Sequence, residues 1–80
     1  MSHMPISWKV KPLLDAHGVT PYRLMVESGL SRAIVYAIAN NTHEALDAGV
    51  MEKLIPTLRD LTDSPQLQIG DVVEWVSKDA

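Results

Sequence analysis

Helix-stop and helix-start signals alternate closely between residues 18 and 31, and they leave room there only for short helices. Glycine favours the left-handed backbone that ends a helix, whereas a hydroxyl residue caps the next one, most strongly when proline follows it. The signals are Gly18, Thr20-Pro21, Gly29 and Ser31. They predict a helix over Pro21–Ser28 and another over Arg32–Ala39, separated by a turn of a few residues.

Two short helices joined in this way form a helix-turn-helix, and apolar spacing predicts further helices on both sides of it. The first covers about Trp8–Ala16, and its first residues form an irregular lead-in because Pro12 is awkward inside a regular helix. After a polar loop at Asn41–Leu46, the fourth covers roughly Ala48–Leu61. Pro56 lies in its interior, so we expect a kink or break near residues 52–55.

The last segment, about Gln68–Ser77, follows a loop at Thr62–Gln66 and is more ambiguous. Its valines suit a strand, but their alternation is not strict, and their spacing favours a helix. The predicted fold class is therefore all-α: a compact bundle of about five short helices that contains the helix-turn-helix. Ser2-His3-Met4 resembles a cloning-site remnant, so we interpret residues 1–3 as that remnant and 4–80 as one domain.

The acidity of the chain is concentrated in one half. The formal net charge is −3, yet residues 1–43 carry four basic and two acidic side chains, a charge of +2. Residues 44–80 carry three basic and eight acidic side chains, a charge of −5. Net acidity disfavours a nucleic-acid partner. The positive half, however, is the one that holds the helix-turn-helix, so the acidity does not exclude DNA.

Several classes of functional site lack the residues that they need. The chain has no cysteine, which excludes disulfides, thiolate metal sites and cysteine nucleophiles. His17 and His43 lack metal-ligand spacing, and neither a Ser-His-Asp set nor a glycine-rich phosphate loop is present. We therefore expect no enzyme activity, no cofactor and no metal. The apolar runs are too short for a membrane span and no secretory leader begins the chain, so we expect a cytoplasmic protein without membrane association.

The third predicted helix has a face without a single acidic residue. Helix geometry places Ser31, Ile34, Val35 and Ile38 on the core side. Opposite them and on the flanks lie Arg32, Ala33, Tyr36, Ala37 and Asn40. Small residues allow close approach, Arg and Asn pair with guanine and adenine edges in the major groove, and Tyr reaches phosphates. The alternative is that the arginine and the tyrosine pack across a neighbouring loop.

The stretch GVTPYRLMVESGLSRAIVYAIAN, residues 18–40, resembles the helix-turn-helix of the Cro and phage-repressor (XRE-like) family of DNA-binding proteins. The turn at residues 29–31, with Val35 and Ile38 behind it, matches the most specific part of the pattern. The first helix and the closing segment resemble those of small stand-alone bacterial regulators. Met25 departs from the usual small residue, Asn41 replaces a frequent glycine, and Pro56 departs from the usual fourth helix.

The resemblance implies a lambda-repressor-like fold and a sequence-specific transcriptional regulator whose third helix enters the major groove. By this resemblance the groove positions are Ser31, Arg32, Ala33, Tyr36 and Ala37. The positions that hold backbone phosphates are Thr20, Tyr22 and Asn40. No cofactor is implied, and double-stranded DNA is the expected partner.

A single module of this kind buries about 600–1,000 Å², which is too little for tight specific binding, so we expect a homodimer. The candidate dimer surface is formed by Val72, Val73, Trp75 and Val76, with ordinary core packing as its alternative. The rival function is a protein-interaction module, such as an antitoxin-like subunit with a helix-turn-helix fold. The acidic second half would suit a basic protein partner.

Overall fold

The chain folds into helices closed by a small sheet; the computed structural model describes residues 5–76. Within that range the elements are β1 (Ile6–Trp8), α1 (Val10–Ala16), α2 (Pro21–Ser28), α3 (Arg32–Ala39), α4 (Ala48–Leu61), a 3₁₀ turn (Ile69–Asp71) and β2 (Val73–Trp75). No helix among these is both long and apolar enough to cross a membrane. The predicted cloning remnant, residues 1–3, and the predicted helix end at Ser77 lie outside the described residues.

The signals around the helix-turn-helix act as predicted. The Thr20 hydroxyl accepts a hydrogen bond from the Arg23 backbone N–H at 3.1 Å and caps α2. The Ser31 hydroxyl accepts from the Ile34 N–H at 3.2 Å and caps α3. Gly29 ends α2 in the left-handed conformation with φ 76°. The predicted bounds of both helices are confirmed. They could be predicted because each signal acts on backbone groups no more than three residues away.

The prediction of an all-α bundle of about five helices is wrong. The last segment forms only a single 3₁₀ turn at Ile69–Asp71 and then the strand β2, which pairs antiparallel with β1. The turn is capped by the Asp71 carboxylate, which accepts from the Gln68 N–H at 2.9 Å. Three of the five residues that follow the turn are valines, and β-branched side chains favour extended backbone once a partner strand is available.

The partner strand, Ile6–Trp8, shares only Trp8 with the predicted first helix, and α1 begins at Val10. Ile6 lies opposite Trp75 and Trp8 opposite Val73, while Ser7 and Glu74 pair on the other face. Ile6, Trp8 and Val73 are buried. Because alternate residues of a strand point to opposite faces, the sheet covers the core with one apolar face and exposes the other.

Pro56 does not break α4, so a break at this point, one of the two outcomes expected, is wrong. The helix is continuous over Ala48–Leu61 with Pro56 inside it. Proline lacks the N–H that would bond to the Glu52 carbonyl, but Glu52 is exposed, and water can hydrate that carbonyl. Pro12 is tolerated for a simpler reason: it lies in the first turn of α1, where N–H groups have no intrahelical partner.

The core lies where all four helices and the sheet converge. α2 packs against α3 and α4, and α1 packs against α3. The side chains that are fully buried come from α1, α2, α3, α4 and the segment before β2: Val10, Leu14, Leu24, Val35, Ile38, Leu54, Leu58 and Val72. This packing fixes the inner side of α3 and leaves its other side at the surface.

Replacing Gly29 with alanine should destabilise the fold by about 1–2 kcal/mol, because an L side chain is disfavoured at positive φ. The site has no neighbour within 4 Å, so the cost would come from the backbone alone. Gly70→Ala is the matched control, since Gly70 is equally open but lies outside that range of φ. We expect the control to change stability by less than about 0.5 kcal/mol in urea unfolding. Equal effects of the two variants would contradict this explanation.

Candidate functional site

The inner side of α3 is fixed by three buried side chains, Val35, Ile38 and Ala39, with Ile34 half-buried beside them. Ser31 was predicted on this inner side, and that placement is wrong. It is exposed because its hydroxyl turns back onto the Ile34 N–H as the helix cap. A capping residue has non-helical backbone, so the helical wheel does not apply to it.

The outer side of α3 carries the predicted groove residues at two depths. Arg32, Ala33 and Asn40 are exposed, whereas Tyr36 and Ala37 are half-buried. The face is therefore narrower than the helical wheel indicates, with Arg32 and Ala33 forming its most accessible part. The Arg32 guanidinium carbon lies 5.3 Å from the centre of the Tyr36 ring, so the two side chains contact each other on the same helix.

The first turn of α2, the helix that packs against α3, supplies further exposed polar groups. Thr20 is exposed and Tyr22 is 58% exposed, as expected of groups that could reach a phosphate. Arg23 is also exposed in this turn and was not among the predicted site residues. The sequence could have indicated Arg23, because a residue three positions after the cap lies in the first turn of the helix. Neither α2 nor α3 has an acidic residue in its first turn, so both positive helix ends are available to an anion.

Ion pairs among the described residues determine which basic side chains of the first half remain unpaired. Lys11 bonds to Asp15 at 3.2 Å, and Lys9 lies 3.6 Å from Glu74. Both pairs are solvent-exposed and add little to stability, but they neutralise two of the four basic side chains in the first half. Arg23 and Arg32 make no such ion pair among residues 5–76. The unpaired positive charge of this half therefore lies on the two helices of the helix-turn-helix.

The carboxyl end of α3 is held by a junction with β1. The Asn41 side-chain oxygen accepts a hydrogen bond from the Trp8 backbone N–H at 2.6 Å, and the His43 carbonyl accepts from the Trp8 indole N–H at 2.6 Å. Thr42 donates its N–H and its hydroxyl to the Ala37 carbonyl, at 2.8 and 3.2 Å. We call these contacts of Trp8 with Asn41 and His43 the Trp8 junction.

The junction explains the departure at Asn41 from the glycine that is frequent in the resembled pattern. Asn41 has φ 60°, so it takes up the left-handed conformation directly after α3. Asparagine tolerates this conformation better than most residues, and here its amide also makes a bond that glycine cannot make.

The exposed groups of α2 and α3 can bind a polyanion and read flat polar edges, but they provide no catalytic constellation. Among the described residues, no three His, Asp or Glu side chains are placed to hold a metal ion. Comparison of the chain with known protein families, curated proteins and solved structures finds no match. The function is therefore argued from the geometry and chemistry of these helices.

Substitutions at Asn41 should separate its two roles in stability. Asn41→Gly keeps the left-handed backbone and removes only the bond to Trp8, at a cost of about 1 kcal/mol. Asn41→Ala removes the bond and adds the penalty for positive φ, so its cost should be about 2–3 kcal/mol. Urea unfolding measures both. If the alanine variant is as stable as the glycine variant, the left-handed conformation is not enforced at this residue.

Proposed function

We propose that the protein is a sequence-specific DNA-binding transcriptional regulator that resembles the Cro and phage-repressor family. The observation that carries this proposal is the exposed, acid-free face of α3, which begins at the Ser31 cap and presents Arg32 and Ala33 beside half-buried Tyr36. Such a face fits into a groove of the duplex more readily than an ordinary helix surface rich in Glu and Lys. A regulator of this kind would act in the cytoplasm, where its DNA is.

In the proposed complex α3 enters the major groove with its first residues toward the bases, as recognition helices do. The N-termini of α2 and α3 meet backbone phosphates through their amides. Thr20 and Tyr22 add hydroxyl contacts, and Asn40 adds an amide at the other end of α3. Arg23 is the added phosphate contact, since it is exposed and makes no ion pair among the described residues. Phosphate contacts set the orientation, and base contacts select the sequence.

The proposed regulator binds DNA as a homodimer through β2. Part of the predicted dimer surface is instead core: Val72 and Val73 are buried. Trp75 is different, because it shares the inner face of the sheet with Ile6, Trp8 and Val73 yet is 69% exposed. A large indole at the margin of the core is an apolar surface that a second copy could cover.

Selection from a random duplex pool should enrich a palindromic sequence, which would give both the binding activity and the two-fold symmetry. Arg23→Ala should then weaken binding to all duplexes alike and reduce the slope of log affinity against log salt by about 1. The control is Lys53→Ala, an exposed cation on α4, which should leave both quantities unchanged. Failure of the wild-type protein to enrich any sequence would overturn the proposal. Co-purification of a basic protein would then favour the interaction module.

Trp75→Lys should shift the protein toward monomer, because it places a charge in the proposed apolar contact. We expect the dissociation constant of the dimer to rise at least tenfold in sedimentation equilibrium. Val26→Lys is a suitable control, since Val26 is 57% exposed on α2 and lies outside β2. A wild-type monomer at all concentrations, or a Trp75 variant that dimerises normally, would argue against this surface.

A further inference from the structure

Arg32 and Tyr36 form a defined pair on the outer side of α3. Arg32 is the first residue of the helix and is exposed, and Tyr36 follows one turn later and is half-buried. The guanidinium carbon lies over the tyrosine ring, 5.3 Å from its centre. Tyr36 is therefore partly covered, while Arg32 lies over its ring and is itself exposed.

This arrangement restricts the arginine without using its hydrogen-bond donors. The distance is within cation–π range, and the aromatic ring takes up none of the guanidinium N–H donors in a conventional hydrogen bond. The first turn of α3 has no acid, and Arg32 makes no ion pair within residues 5–76, so no carboxylate among those residues occupies the edge. A side chain held in this way loses less conformational freedom on binding than a free arginine does.

A restricted guanidinium edge can distinguish one base from another. Guanine presents two acceptors, N7 and O6, to the major groove, and arginine pairs with both at once. Adenine presents one acceptor and one donor there, so the same edge cannot satisfy it. A phosphate can also accept two N–H bonds from an arginine, but that contact acts equally on every sequence.

We propose that Arg32 reads a guanine in the major groove and that Tyr36 is the positioning residue that makes this reading selective. This inference rests on the proposed DNA-binding function and adds to it the base that is recognised and the side chain that enforces the choice. The inference can be tested against the other role for Arg32, a contact with a phosphate, because only a contact with a base depends on which base is present.

The experiment compares wild type with Arg32→Ala, Tyr36→Phe and Tyr36→Leu on the duplex selected by the wild-type protein. Each symmetric pair of guanines in that duplex is replaced in turn by adenine, with the partner cytosines changed to thymine, and affinities are measured at several salt concentrations. For the wild type, one replacement should cost about 5- to 150-fold in affinity per half-site. Thermal unfolding of each variant confirms that it is folded at the assay temperature.

Arg32→Ala should bind the selected duplex less tightly and no longer distinguish it from that one replaced duplex. Tyr36→Phe retains the aromatic face, so its guanine preference should match that of the wild type. Tyr36→Leu keeps an apolar side chain but loses the face, and its preference should fall at least threefold although Arg32 is still present.

The outcomes separate this inference from the proposed function. If the wild type selects no sequence, both fail. If it selects a sequence but Arg32→Ala discriminates at every guanine as the wild type does, the function stands and the reading role of Arg32 is wrong. A uniform loss on all duplexes, with a salt slope lower by about 1, would identify Arg32 as a phosphate clamp instead. Full guanine preference in a folded Tyr36→Leu variant would overturn the positioning role of Tyr36.

Discussion

The geometry of α3 depends on one residue outside the helix-turn-helix, Trp8. Its side chain is 4% exposed, and its backbone and indole N–H groups both donate to the loop that follows α3. The same residue pairs with Val73 of β2. Three segments that are distant in the chain therefore meet at Trp8, and each of its part-buried hydrogen bonds contributes about 1 kcal/mol. The end of α3 is thereby tied to the sheet.

This tie gives the small sheet a role beyond covering the core. Trp75, the proposed dimer contact, pairs with Ile6, two residues before Trp8 in the same strand. The dimer surface and the end of α3 are thus joined by a short piece of hydrogen-bonded backbone. A dimer on a two-fold operator must place its recognition helices about one duplex turn, or 34 Å, apart. A rigid connection between the dimer surface and α3 would fix that spacing, whereas a flexible connection would leave the spacing undefined.

What the sequence predicts well is what a few neighbouring residues decide. Thr20 and Ser31 cap helices through bonds to residues three positions on, and Gly29 ends a helix through its own φ. The sheet could not be predicted in this way, because β1 and β2 lie at opposite ends of the chain and have three residues each. So short a strand shows no periodicity, and its conformation is decided by a partner. The half-buried position of Tyr36 likewise depends on the packing of neighbouring elements, which a helical wheel does not contain.

Charge then determines how such a protein could bind DNA at all. The chain carries a net charge of −3, and two of its amino-terminal lysines are engaged in ion pairs. Among residues 5–76, Arg23 and Arg32 are left as the unpaired cations of the helix-turn-helix. Each neutralised phosphate contributes only about −0.9 to the logarithmic salt slope, so the electrostatic term per chain is small. The affinity for DNA would then have to come from groups that already have their binding positions in the free protein. These are the N-termini of α2 and α3 and the Arg32 guanidinium, which lies over the Tyr36 ring. For the proposed DNA-binding role, pre-organisation and dimerisation would compensate for the small number of charges on this surface.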